Sequence, residues 1–171
     1  MLWQGQQYLS FIGLMMENLM NISLVVVAFL SMECVAWLAH KYLMHGLLWV
    51  LHRDHHRKEQ QGFFERNDFF FLIFALPGII CLVEGSAYGV PVTLWIGIGI
   101  TLYGFCYFLV HDIFIHRRFS VFRNTDNWYL KGIRRAHKMH HKHLDKRDGE
   151  CFGMLWVPFK YFINSGQKVV E

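Results

Sequence analysis

Ten of the eleven histidines in this chain stand in four short boxes: His40-x4-His45, His52-x2-His55-His56, His111-x4-His116 and His137-x2-His140-His141. Imidazole is a common metal ligand, and a buried polar ring needs a partner. Residues three and four apart share a helix face, so His52, His55 and His56 should project within an arc of about 100°. The same holds for His137, His140 and His141. The H-x4-H boxes pose a different problem. Five residues of α-helix turn about 500°, which leaves the two rings about 140° apart. Either the helix is distorted at these boxes, or their two rings serve different ions or different walls of the site.

A single zinc is satisfied by about four ligands, so ten histidines suit two ions better than one. Neutral imidazole accepts iron, zinc, copper and nickel without strong preference. Ten protonatable rings, each with an ordinary pKa near 6.5, would repel one another, and metal binding holds them neutral. A lone histidine at a membrane boundary is ordinarily an interfacial or hydrogen-bonded residue; four boxes with repeated spacing are not explained that way. His143 lies outside the boxes, in HHKH, and is expected to be a solvated bystander. Three carboxylates are candidates to support the histidines: Asp112, which follows His111 directly, Asp54 inside the second box, and Glu33. Glu33 stands within an apolar run, where a carboxylate is costly and usually functional. It precedes His40 by seven residues, so it should share its face; interhelical hydrogen bonding is the alternative role.

The elements that must position these residues are apolar. The chain has 171 residues, of which 54% are hydrophobic and 17% aromatic, above the range usual for soluble domains. Residues 20–39, 69–87 and 91–110 each approach the ~20 residues needed to cross a bilayer. A chain this short cannot cover three such helices with protein. The second and third are joined by EGSAYGVP and form a hairpin. All seventeen Lys and Arg fall within 41–66 or 117–168, so the positive-inside rule places both regions in the cytoplasm and the N-terminus outside. The hairpin crosses twice and returns the third and fourth boxes to the side of the first two.

The fold expected is therefore an all-α membrane protein with three to four transmembrane helices and a cytoplasmic, histidine-rich di-metal site. Residues 1–18 are read as an N-terminal tail or interfacial segment, 19–163 as one membrane-embedded domain and 164–171 as a C-terminal tail. The stretch 151–163 is too short to span and should be interfacial or re-entrant. Cys34, Cys81, Cys106 and Cys151 are widely spaced, which argues against a zinc finger or a disulfide framework. There is no H-E-x-x-H peptidase string and no G-x-G-x-x-G dinucleotide loop, so any electrons must come from a separate protein. Nothing points to nucleic acid.

The boxes and their flanks resemble the bacterial β-carotene hydroxylase family, within the fatty-acid hydroxylase and sterol desaturase superfamily. The matching text is MECVAWLAHKYLMHG (32–46), HRDHH (52–56), GFFERND (62–68), YGFCYFLVHDIFIHRR (103–118), YLKGIRRAHKMHH (129–141) and ECFGMLWVP (150–158). The resemblance implies a non-haem di-iron monooxygenase of the bacterial inner membrane, with the ten box histidines as ligands to two iron ions. It implies dioxygen as co-substrate, reduced ferredoxin as electron donor, and a carotenoid as lipid substrate. The reaction would be 3-hydroxylation of the β-ionone rings of β-carotene, giving zeaxanthin via β-cryptoxanthin. The basic residues Arg117, Arg118, Arg134, Arg135 and Lys138 could dock an acidic ferredoxin or anionic lipid. The alternatives are a hydroxylase or desaturase acting on a fatty acid or sterol, and a membrane metal-ion transporter. Transport sites lie near mid-membrane on broken helices, whereas these boxes gather on one side.

Overall fold

In the computed structural model, which describes residues 2–57, 62–119, 121, 124–147 and 149–163, every described regular element is helical. The expected tail at 164–171 lies outside the described residues. The main helices are α1 (Leu2–Leu38), α2 (Trp49–Arg57), α3 (Phe69–Ala87), α4 (Pro91–Phe108), α5 (Trp128–His140) and the single turn α6 (Lys160–Ile163). Two π-helical segments interrupt this order: Ala39–Leu47 continues α1, and Leu109–Ile115 continues α4.

Three helices are long and apolar enough to cross a membrane: Gly5–Leu47, Arg66–Ala87 and Pro91–Ile115. With 19 residues, α3 is about 28 Å long, close to the hydrocarbon thickness of a bilayer. Its outward face carries exposed Leu72, Leu76, Ile79 and Val83, and α1 likewise exposes Val26, Val27 and Leu30. Such continuous apolar surface belongs against lipid. α3 and α4 form the hairpin, and α1 packs on α4. Small residues set these approaches, as is common between membrane helices. A Cβ on Gly85 would lie 2.4 Å from Leu94 Cβ, and one on Gly99 would lie 2.6 Å from Val25 O and 2.7 Å from Ala28 Cβ. α1 is unbroken through residues 18 and 19, so the stretch read as an N-terminal segment shares one helix with the first span.

The remaining elements collect at one end of the bundle. α5 starts at Asn127, whose side chain accepts the Leu130 N–H at 3.1 Å and caps the helix. It buries one stripe, Gly132, Ile133, Ala136, His137 and His140. Ile133 and Ala136 form a core with Val157 and Tyr161 of the C-terminal segment. That segment does not cross the bundle, so the described residues contain three candidate spans rather than four.

Candidate metal centre

The first H-x4-H box falls within a π segment, and the second spans the other, with His111 inside it and His116 as its C-terminal cap. In a π-helix the hydrogen bond runs between residues five apart, so those residues stack as residues four apart do in an α-helix. The second segment shows this directly: the His116 N–H donates to His111 O at 2.9 Å, joining the two box histidines themselves. Their ring centroids lie 4.4 Å apart, and those of His40 and His45 lie 5.3 Å apart. The first segment also kinks at Gly46, with φ −107° and ψ −108°. Of the two possibilities left open by the spacing, distortion of the helix is the one realised.

Nine box histidines converge into two groups, each able to hold a metal ion: His40, His45, His52, His56 and His140 in one, His55, His111, His116 and His137 in the other. Each H-x4-H box stays within one group. Each H-x2-HH box crosses over: His55 leaves its box-mates for the second group, and His140 leaves its own for the first. His141, the tenth box residue, sits beside the second group, with ring centroids 4.6 Å from His137, 4.8 Å from His55 and 4.9 Å from His116. His143 belongs to neither group, but its backbone carbonyl accepts from His56 Nδ1 at 3.0 Å.

The donor set itself tests for metal. Nδ1 of His40 donates to Phe152 O (3.0 Å), that of His140 to Glu150 O (2.7 Å) and that of His45 to Lys146 O (3.4 Å). His52 Nδ1 donates to Asn67 Oδ1 at 2.6 Å, and His55 Nδ1 to Glu65 Oε2 at 2.7 Å. His111 Nδ1 donates to Asp112 Oδ2 at 3.3 Å. A ring protonated at Nδ1 carries its lone pair on Nε2. Yet the Nε2 atoms face one another: His40 and His52 at 3.1 Å, His45 and His140 at 3.2 Å, His55 and His111 at 3.2 Å. Facing lone pairs repel unless a cation lies between them. Two nitrogens at right angles around an ion, with metal–nitrogen distances of about 2.1 Å, lie about 3 Å apart. The residues present fit a metal in each group.

Burial reinforces this. Burial first, and then the neighbouring imidazoles, hold His52, His55 and His137 well below the ordinary histidine value. Burial, then His141, brings His56 down to about 3, and burial, then His56, does the same for His140. The rings are thus neutral ligands before any ion arrives.

The supporting carboxylates differ in role. Asp112 Oδ2 accepts from His111 Nδ1 at 3.3 Å, and its Oδ1 pairs with Arg118 Nε at 3.2 Å. Asp54 is buried, but its described hydrogen bond is to the Arg66 backbone N–H (2.6 Å), so it secures the 62–68 loop and reaches the histidines only through that loop. Glu33 accepts from Tyr103 and from three backbone amides, and its described hydrogen bonds include none to a histidine. The residues missed from sequence are Glu65 and Asn67. They lie in GFFERND, ten and fifteen residues beyond the histidines they hold, and a tertiary contact of that kind leaves no periodic signal. Arg118 binds Asp68 (2.6 Å), Glu65 (3.3 Å) and Asp112, so one guanidinium braces both carboxylates that orient the second group.

A cleft of about 380 Å³ opens onto this second group, lined by His55, His56, His116, His137 and His141 with Arg57 and Lys138. The basic face is narrower than its sequence suggests. Arg118 is engaged as above, Arg134 donates to Phe114 O and stacks on that ring, and Arg135 donates to Tyr161 O. Arg117 and Lys138 are exposed.

Three apolar helices carrying paired histidine groups at one end define a helical membrane protein with a histidine-rich metal-binding centre. The fatty acid hydroxylase family model matches residues 25–163, and the chain belongs to that family. It is 41% identical over 138 residues to a β-carotene hydroxylase of Pantoea ananas, covering 81% of this chain and 78% of that one. It is 35% identical over 136 residues to a β-carotene hydroxylase of Paracoccus sp. (strain PC1), covering 79% and 83%. A chloroplastic β-carotene 3-hydroxylase of Arabidopsis thaliana is 37% identical over 153 residues, 84% of this chain and 46% of that longer one. No solved structure matches at a significant level.

Proposed function

We propose that this protein hydroxylates the β-ionone rings of β-carotene at carbon 3, forming zeaxanthin by way of β-cryptoxanthin. The observation that carries the reading is the pair of imidazole groups, each with Nε2 lone pairs converging, at the end of an apolar bundle in a chain similar to β-carotene hydroxylases. Per hydroxylation, one C–H bond, one dioxygen, two electrons and two protons give one C–OH and one water. Two iron ions, when bound, supply the dioxygen activation and oxidising power that amino-acid side chains lack.

The chain's own residues hold and orient. His40, His45, His52, His56 and His140 form one ligand set; His55, His111, His116 and His137 form the other, with His141 alongside. Glu65 and Asp112 fix the rings of His55 and His111, a support that also raises ligand basicity. The first group is held by backbone carbonyls and Asn67. A carotenoid is about as long as the bilayer core is thick, ~30 Å, so its ring lies near the lipid–water boundary where the spans end. One site meets one ring at a time, and the mono-hydroxylated product leaves and turns before the second round. The topology that suits this is an N-terminus outside, with the histidine end in the cytoplasm of a bacterial inner membrane. Electrons then arrive from a reduced ferredoxin docking near exposed Arg117 and Lys138, Lys138 lying on the rim of the histidine-lined cleft.

Expression in a β-carotene-producing bacterium, with pigments separated by chromatography, tests the proposal. The expected result is conversion to zeaxanthin, with β-cryptoxanthin rising first. Unchanged β-carotene beside full expression would overturn the substrate assignment and favour another membrane lipid.

A further inference from the structure

Glu33 is the polar residue that the metal site does not use directly, although it lies within the first span. Its Oε2 accepts the Tyr103 hydroxyl of α4 at 2.8 Å. Its Oε1 accepts three successive backbone N–H groups, from Met154 (2.9 Å), Leu155 (3.0 Å) and Trp156 (2.9 Å). Those amides belong to irregular backbone at the end of a membrane bundle, where unpaired N–H groups are costly. Successive N–H groups converging on one oxygen make an anion-binding concavity. The backbone is shaped for it: a Cβ on Gly153 would lie 2.4 Å from Trp156 O and 3.1 Å from Glu33 Oε1.

The same strap faces the histidines a few residues earlier. The Glu150 and Phe152 carbonyls accept from Nδ1 of His140 and His40, two members of the five-histidine group. Cys151 between them takes φ +59°, which turns the chain so that both carbonyls reach their rings. We infer that Glu33 is a positioning residue for the five-histidine group: it clamps residues 154–156, and the clamp fixes the carbonyls at 150 and 152 that aim His140 and His40. Glu33 and His40 share a helix, so the strap ties both ends of the same seven-residue interval. The four-histidine group draws its described side-chain support from Glu65 and Asp112 instead.

This inference deepens the proposed function by naming what holds one of its two ligand sets, and its test does not use the substrate. Metal-stripped full-length protein in detergent is titrated with Co(II), read by its visible absorption, and amide exchange is followed at residues 154–156. Losing a partner that orients a metal-bound histidine typically costs about 10–100-fold in metal affinity. The expected result for Glu33→Ala is a loss of that size at one of two Co(II) sites, with faster exchange at 154–156. Glu33→Gln keeps an acceptor for the three amides and should stay within a few-fold of wild type. Tyr103→Phe should also be mild; if it equals Glu33→Ala, the role is interhelical and the inference fails. Where Glu33→Ala does not fold, Gly153→Ala displaces the strap while leaving Glu33 in place and should weaken the same single site. Unchanged Co(II) affinity at both sites in Glu33→Ala or Gly153→Ala overturns the inference. Split affinities with no pigment conversion would leave the strap standing and remove only the carotenoid reading.

Discussion

At the scale of single residues, the centre depends on which ring nitrogen carries the proton. Glu65 sets that for His55, and Asp112 for His111. Truncating Glu65 to alanine frees the His55 ring, and metal affinity at the four-histidine group should fall about 10–100-fold. Metal titration of the purified variant measures this, and an unaltered affinity would remove Glu65 from the support of the site. The depressed basicity of His56 and His140 sets a pH dependence. In the folded chain their pKa is about 3, against about 6.5 when unfolded, so between these values the unfolded state binds more protons. Stability of the metal-free protein should therefore be highest above pH ~6.5, fall as the pH drops below it and level off near 3. Thermal unfolding across pH 4–8 reads the slope, and a stability that rises on acidification would contradict the neutral, buried placement of these rings.

At the scale of elements, each H-x4-H box works because its helix changes from α to π where the histidines stand. Interhelical packing must hold those segments in register. Gly99 lets α4 approach α1 closely, and the two π segments, Ala39–Leu47 and Leu109–Ile115, continue those two helices. Gly99→Leu places side-chain atoms where Val25 O and Ala28 already sit. Overpacking of this kind costs about 1–3 kcal/mol, so the variant should unfold at lower temperature and lose metal from both groups together. Loss from one group alone would show that the groups are held by separate elements.

At the scale of the whole molecule, the histidine groups, the α5 core and the C-terminal strap occupy one end, while the rest is lipid-facing helix. With all seventeen basic residues beyond position 40 and outside the hairpin turn, a reporter active only in the cytoplasm should work when fused after residue 171. One inserted in the 88–90 turn should be silent. The reverse pattern would invert the topology and place the histidines outside.

Sequence alone determined the three spans, because ~20 apolar residues without a polar partner have few fates other than lipid. It also made imidazole the expected ligand type and pointed to a site for more than one ion, because ten box histidines outnumber what a single ion takes. It identified the difficulty at His40/His45 and His111/His116 but not its resolution, since α and π backbones are chosen by tertiary strain. The division of ligands was not legible either. His55 and His140 leave their own boxes for the opposite group, and only the approach of α2 to α5 decides that. The same is true of Glu65 and Asn67, ordinary polar residues in the sequence whose roles arise from the rings the folded chain brings to within 3 Å of them. Glu33 stood out as a carboxylate in an apolar run, but its backbone partners at 154–156 come only from the tertiary fold.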